Sequence, residues 1–78
     1  MKFTVNLWWD DTEPDEVPMW IAESDDILGL VLENESLDKL IDACKDVIPS
    51  LLVGNKQVPS NKLERVTVSF LVKVPVCG

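Results

Sequence analysis

The strongest constraint on the fold is one amphipathic helix pattern in the middle of the chain. From Ser36 onward the apolar residues form a continuous stripe at 3.6 residues per turn: Leu37, Leu40, Ile41, Cys44, Val47, Ile48, Leu51 and Leu52. Ser36 or Asn34 is suited to cap the helix N-terminus. Pro49 interrupts the pattern, so we expect either a kink with helix continuing to Leu52 or an end near Ile48.

Alternating residues predict strands on both sides of this helix. The first strand is predicted over residues 2–9. Its side chains alternate between two faces: one face carries Phe3, Val5, Leu7 and Trp9, and the opposite face carries Thr4, Asn6 and Trp8. Short strands are expected at residues 19–23 and 30–33, with a turn over residues 24–30 that uses Gly29. Residues 53–62 are expected to form a polar loop.

The last strand is predicted over residues 63–74 and is the longest. One of its faces is apolar: Val66, Val68, Phe70, Val72 and Val74. We expect self-association, as a homodimer, through the other set: Arg65, Thr67, Ser69, Leu71 and Lys73. A long edge strand exposes unpaired backbone groups that proteins usually protect. The dimer could pair edge to edge or face to face. The alternative to a dimer is a monomer in which this face of the strand is polar enough to be exposed.

The order of elements is therefore β-β-β-α-β, which predicts a two-layer α+β domain. Three antiparallel strands followed by a helical crossover make the last strand parallel to the first. A right-handed crossover then gives a four-stranded mixed sheet of order 3-2-1-4 with the helix on one face. We expect the 78 residues to form a single domain, without a separate DNA-binding domain.

Charge narrows the range of partners. The chain has 14 acidic and 7 basic residues and a net charge of −7, which argues against binding nucleic acid phosphates or anionic membranes. It suits solubility or a basic protein partner. We expect neither a secretory signal nor a membrane-spanning segment. With only two cysteines, Cys44 expected in the core and Cys77 expected to be exposed, we predict a reduced, cytoplasmic protein.

The sequence offers little for catalysis, so we expect neither an enzyme nor a cofactor or metal site. It contains no histidine, the usual general base and a common metal ligand. In the acidic loop, residues 10–16, the spacing of Asp11, Glu13 and Asp15 resembles the start of a calcium-binding EF-hand loop. Glu16 occupies the position of the required glycine, however, and Ala22 that of the bidentate glutamate.

Tryptophan is the most conspicuous candidate for partner recognition. Trp9 shares a strand face with apolar residues and is expected in the core, whereas Trp8 is on the opposite face. The face of Trp20 is left open by the sequence. Because tryptophan is enriched at binding hot spots, we predict a partner-binding surface that combines indoles with acids: Trp8, Asp10, Asp11, Glu13 and Trp20.

Two segments resemble the N-terminal domain of HicB-type antitoxins. They are the turn of residues 24–30, of the form Asp-x-x-Gly, and the helix start at residues 35–40; the family often has proline where Leu28 stands. The resemblance covers about residues 3–52. It implies a fold similar to a trimmed ribonuclease H core, without that enzyme's carboxylates: residues 3–9 of the first strand and residues 66–74 of the last strand contain no acid. Full-length members usually carry a second, DNA-binding domain.

Two functions are consistent with these features. The resemblance implies an antitoxin-like domain that neutralises a small basic ribonuclease toxin by covering its active surface, a role that an acidic protein suits. The alternative is a small oligomeric structural or adaptor domain without a toxin, whose strand edge docks a peptide or a second copy.

Overall fold

The computed structural model describes residues 1–73 and contains a four-stranded mixed sheet with one long helix on one face. The strands are β1 (Lys2–Asp10), β2 (Met19–Glu23), β3 (Val31–Asn34) and β4 (Thr67–Lys73), and the helix is α1 (Leu37–Gly54). The sheet order is β3-β2-β1-β4, with β1 antiparallel to β2 and parallel to β4. The predicted α+β architecture and strand order are confirmed. Val74 and Cys77 lie outside the described residues.

Helix α1 begins where the polar residues before it provide caps. The hydroxyl of Ser36 accepts the backbone N–H of Lys39 at 3.4 Å, and the side chain of Asn34 accepts the N–H of Ser36 at 2.9 Å. Ser36 is therefore the N-cap of the helix, and Asn34 holds the backbone of Ser36 in place. The helix continues through Pro49 to Gly54, so of the two alternatives an end near Ile48 is wrong and continuation past Pro49 is confirmed. Pro49 is exposed.

The core lies between α1 and one face of the sheet, which we call the helix-side face. The predicted apolar stripe of α1 is confirmed, with Leu40, Cys44, Ile48 and Leu52 buried. Opposite it are three fully buried residues of β1 and β2, namely Val5, Leu7 and Ala22. Trp20 pairs in register with Trp9, and Leu7 with Ala22, which places Trp20 on the helix-side face because side chains alternate along a strand.

Coverage of the helix-side face is uneven. Helix α1 packs mainly over β2 and β3, so the ends of β1 and β4 are less protected. Trp9 is 36% exposed and Val72 is 40% exposed. The Trp9 ring meets Trp20 edge-on, with centroids 5.5 Å apart. The expectation that Trp9 belongs to the core is therefore wrong.

The segment between α1 and β4 differs from the predicted polar loop and early strand. Residues Ser60–Arg65 form a short 3-10 helix, and β4 begins only at Thr67. Leu63 and Val66 are partly buried against the core, and this three-residue spacing suits the threefold period of a 3-10 helix better than a strand. Val58, expected in the polar loop, is buried, at 1% exposure.

The turn of residues 24–30 is attached to β1 by side chains. Strand β2 stops pairing with β1 at Glu23, opposite Asn6. Beyond that point Ser24 donates its hydroxyl to the Thr4 carbonyl at 2.6 Å, and Asp26 accepts the Thr4 N–H at 2.8 Å. These side chains take the place of the missing strand neighbour at Thr4.

The same turn is held from its other side by the loop that follows α1. Asn55 donates its amide to the Leu28 carbonyl at 2.7 Å. Gln57 donates to the Asp26 carbonyl at 2.7 Å and accepts the Leu28 N–H at 3.0 Å. Gly29 has φ +80°, a conformation that favours glycine. The turn of residues 24–30 is thus hydrogen-bonded both to β1 and to the loop that follows α1.

Candidate functional site

The most distinctive surface is the side of the sheet that faces away from α1, which we call the open face. Strand register places Trp8 beside Ile21 of β2 and Lys73 of β4 on this face. Trp8 and Ile21 are partly exposed. At the two sides of the sheet, Val31 is 70% exposed and Leu71 is 53% exposed. The open face therefore presents apolar side chains from all four strands.

A groove of about 330 Å³ lies where the acidic loop meets the open face; we call it the acidic groove. Apolar residues of the loop and β2 contribute to it, and carboxylates from three segments surround them: Val17, Met19 and Ile21, with Asp10, Glu13, Glu16 and Glu33. The described lining contains no cationic side chain. The groove thus combines apolar contact with a strongly negative potential.

Short-range hydrogen bonds hold the loop beside the groove. Asp10 accepts the hydroxyl of Thr12 at 2.7 Å and its backbone N–H at 3.1 Å through the same oxygen, Oδ1. The hydrogen bonds from the Thr12 side chain and backbone lower the pKa of Asp10 below its usual value. The N–H of Glu16 donates to the Glu13 carbonyl at 3.2 Å. Asp10 therefore stays ionised at neutral pH and fixes the start of the loop.

The structure separates the predicted partner-binding residues. Asp10 and Glu13 line the acidic groove, and Trp8 lies on the same face, paired with the groove residue Ile21. Asp11 is exposed on the loop but is not in the groove lining. Trp20 lies on the helix-side face, so it does not belong to the same surface as Trp8.

Five groove residues were missed by the sequence-based prediction, although two of them carried a signal. Met19 and Ile21 alternate with Trp20 and Ala22, so once Ala22 is known to be buried they must face the other way. Glu33 joins the groove because it pairs with Ile21 across β2 and β3. That register is a long-range property, and no local pattern indicates it. The last two, Glu16 and Val17, join the groove through the path of the chain between β1 and β2.

The predicted self-association residues also fall into two groups. Thr67, Ser69, Leu71 and Lys73 lie on β4 and share the open face, as their register with β1 requires. Arg65 belongs to the 3-10 helix and is therefore not part of this strand face. The error arose because the last strand was predicted to begin at residue 63, whereas β4 begins at Thr67.

A second, apolar groove lies on the other side of β4, between the strand and α1. We call it the helix-side groove; its volume is about 280 Å³. Side chains from α1, the 3-10 helix and β4 line it: Lys45, Ile48, Pro49, Leu52, Leu63, Val66, Val68 and Phe70. It exists because α1 packs over β2 and β3 and leaves β4 partly uncovered.

The carboxylates of the acidic groove do not converge as metal ligands do. Within residues 1–73, no group of three or more His, Cys, Asp or Glu side chains is arranged to hold a metal ion. The acids instead surround an apolar floor, which suits an extended cationic side chain with an apolar stem. None of the helices in this part of the chain is long and apolar enough to cross a membrane.

Comparison with known proteins places the chain in a family. The family model described as a domain of unknown function, DUF1902, matches residues 2–73. The chain belongs to the DUF1902 family. A hypothetical protein from the extremely thermophilic bacterium Thermus thermophilus has a similar crystal structure, with a TM-score of 0.71, 24% sequence identity and full coverage of both chains. This similarity supports the fold. No curated protein matches the chain.

Proposed function

We propose that this DUF1902 domain is a non-catalytic protein-binding domain that recognises a small basic protein through its open face. The observation that carries the proposal is the acidic groove, in which four carboxylates surround an apolar floor beside Trp8. An arginine or lysine of the partner fits this arrangement. Its aliphatic stem would lie against Met19 and Ile21, and its charged head would reach the carboxylates.

Energetics favour a partner with both apolar and cationic groups. Exposed ion pairs alone contribute only about 0–1 kcal/mol each. Burial of apolar area contributes about 25 cal/mol per Å² before the cost of association is subtracted. Trp8, Ile21 and Leu71 supply that apolar area on the open face. The net charge of −7 then speeds encounter with a basic partner and selects its orientation.

The specific role that we propose is antitoxin-like. The turn and helix start resemble HicB-type antitoxins, and such proteins neutralise small basic ribonuclease toxins by covering their active surface. A surface that receives arginine and lysine suits this task, because an enzyme that cleaves RNA needs cationic groups to hold phosphates. On this proposal the domain acts in the cytoplasm and does not itself contact nucleic acid.

Site-specific photo-crosslinking in the source cells tests the proposal. A benzoylphenylalanine placed at Val17, which is 63% exposed in the acidic groove, samples whatever binds there. The matched control carries the same group at Leu28, which is 59% exposed in the turn and is not a groove residue. Mass spectrometry then identifies the captured proteins.

We expect position 17, and not position 28, to capture a small basic protein. We also expect purified domain to inhibit the ribonuclease activity of that protein. Equal capture at the two positions, or capture of an acidic protein at position 17, would contradict the proposed surface. Specific capture of a basic protein without ribonuclease activity would support the binding surface and refute the antitoxin role.

A further inference from the structure

We propose that two copies of this chain pair edge to edge through β4, in antiparallel orientation, to form a continuous eight-stranded sheet. This inference goes beyond the proposed function and does not depend on it. Strand order makes β4 an outer strand, with β1 as its neighbour in the described part of the chain. Its outward backbone groups are therefore available to a further strand.

The backbone hydrogen bonds show which groups of β4 point outward. The N–H of Thr67 donates to the Met1 carbonyl at 2.8 Å, so the backbone N–H and C=O of Thr67 point towards β1. Because the direction of these backbone groups alternates along a strand, those of Ser69, Leu71 and Lys73 also point towards β1. The outward N–H and C=O groups are those of Val68, Phe70 and Val72.

A two-fold axis at Phe70 uses all of these groups. Phe70 then pairs with Phe70 of the second copy, Val68 pairs with its Val72, and Val72 pairs with its Val68. Each of these three facing pairs exchanges two hydrogen bonds in an antiparallel ladder. Such a contact is self-complementary, as a two-fold dimer requires.

Side-chain chemistry on both faces suits this pairing. On the helix-side face the two Phe70 rings meet, flanked by Val68 against Val72. On the open face Leu71 lies opposite Ser69 and Lys73 opposite Thr67 of the second copy. Strand β4 contains no acidic residue, although acids outnumber bases 14 to 7 in the chain. The register therefore brings no like charges directly opposite each other, which would be destabilising.

The helix-side groove extends the same interface. Val68 and Phe70 belong both to its lining and to the outward-pointing set of β4. Pairing about Phe70 brings the grooves of the two copies next to each other, so the apolar side chains at the edge are covered by their counterparts. Edge pairing leaves Trp8 and the acidic groove accessible on each copy.

A proline at position 72 tests the proposal. Val72→Pro removes an outward N–H without removing a hydrogen bond to β1, and proline is tolerated on edge strands whose N–H faces outward. A proline at Ser69 would instead break the bond to β1. Val72→Ala is the matched control, since it shortens the side chain and keeps the N–H.

We expect sedimentation equilibrium to show a dimer for the wild type and for Val72→Ala, with dimerisation at least tenfold weaker for Val72→Pro. Val31→Lys, which alters the open face at β3 and away from β4, should remain dimeric. A monomeric wild type at micromolar concentration, equal dimerisation of the two position-72 variants, or dissociation by Val31→Lys alone would overturn the proposal.

A second measurement covers the case in which Val72→Pro fails to fold. Hydrogen exchange of the wild type should show protection of the Val68, Phe70 and Val72 amides that increases with protein concentration. Protection of these amides that is independent of concentration would also overturn the proposal.

Discussion

Replacement of Ser24 by alanine should destabilise the fold far more than an ordinary surface substitution. The Ser24 hydroxyl donates to the Thr4 carbonyl at 2.6 Å and accepts the N–H groups of Asp26 and Ile27 at 3.0 and 3.1 Å. The bonds to Thr4 and Ile27 are partly buried, whereas the Asp26 N–H is exposed and can turn to water. Alanine therefore leaves two partly buried backbone groups without a partner.

The expected cost follows from those two groups. Each partly buried group that loses its partner costs about 1 kcal/mol, so Ser24→Ala should lower the free energy of unfolding by roughly 2 kcal/mol. For a domain of this size that corresponds to a fall in Tm of about 8–16 °C. Urea unfolding followed by tryptophan fluorescence measures the change.

Ser50→Ala is the matched control, because Ser50 is exposed on α1. It should change the free energy of unfolding by less than about 0.5 kcal/mol. If Ser24→Ala unfolds at the same urea concentration as Ser50→Ala, with an unchanged m-value, the hydrogen bonds of the Ser24 hydroxyl do not stabilise the attachment of the turn to β1.

Two further predictions concern titratable groups. Thr12→Ala should raise the pKa of Asp10 part of the way towards its ordinary value of 3.8, as read by carboxyl NMR, because it removes the hydroxyl hydrogen bond, the larger cause of the lowered pKa, and keeps the bond from the backbone N–H. The stability from those bonds should be present above pH 3.8 and lost as the pH falls below it. Burial raises the pKa of the Cys44 thiol above its ordinary 9.0, because the folded state favours the protonated thiol. The stability that comes from burying the protonated thiol should therefore be fully present below pH 9.0 and be lost as the pH rises above that value. In a Cys77→Ser variant the remaining thiol should react with a disulfide reagent only after unfolding, and rapid reaction of the folded protein would contradict its burial.

Local patterns were sufficient for most of the fold. The stripe from Leu37 to Leu52 and the alternation along β1 are properties of short segments, so they predicted α1 and β1 directly. The errors arose where two segments meet. Trp9 follows the pattern of a core residue, but its exposure depends on where α1 rests on the sheet, which alternation does not encode.

The candidate site depends even more on long-range contacts. Asp10 and Glu13 were predicted from their place in an acidic loop, and they do line the groove. Glu33 belongs to a distant strand and joins them only through the pairing of β3 with β2. Trp20 was assigned to the same surface as Trp8, although the register of β1 and β2 places the two on opposite faces.

The most direct test of the central claim is the affinity of the captured basic partner for two charge-reversed variants. The groove variant carries Glu13→Lys and Glu33→Lys, and the control carries Asp42→Lys and Asp46→Lys on exposed positions of α1. Each substitution adds two positive charges, so both variants change the net charge from −7 to −3. The general electrostatic attraction is therefore reduced equally in the two proteins.

Isothermal titration calorimetry with the purified partner then isolates the groove. We predict that the groove variant binds at least tenfold more weakly than the control variant, a difference of about 1.4 kcal/mol or more. The control should lose only the modest, salt-dependent part of the affinity that comes from net charge. Equal affinity of the two variants would contradict the claim that the acidic groove is where the partner binds.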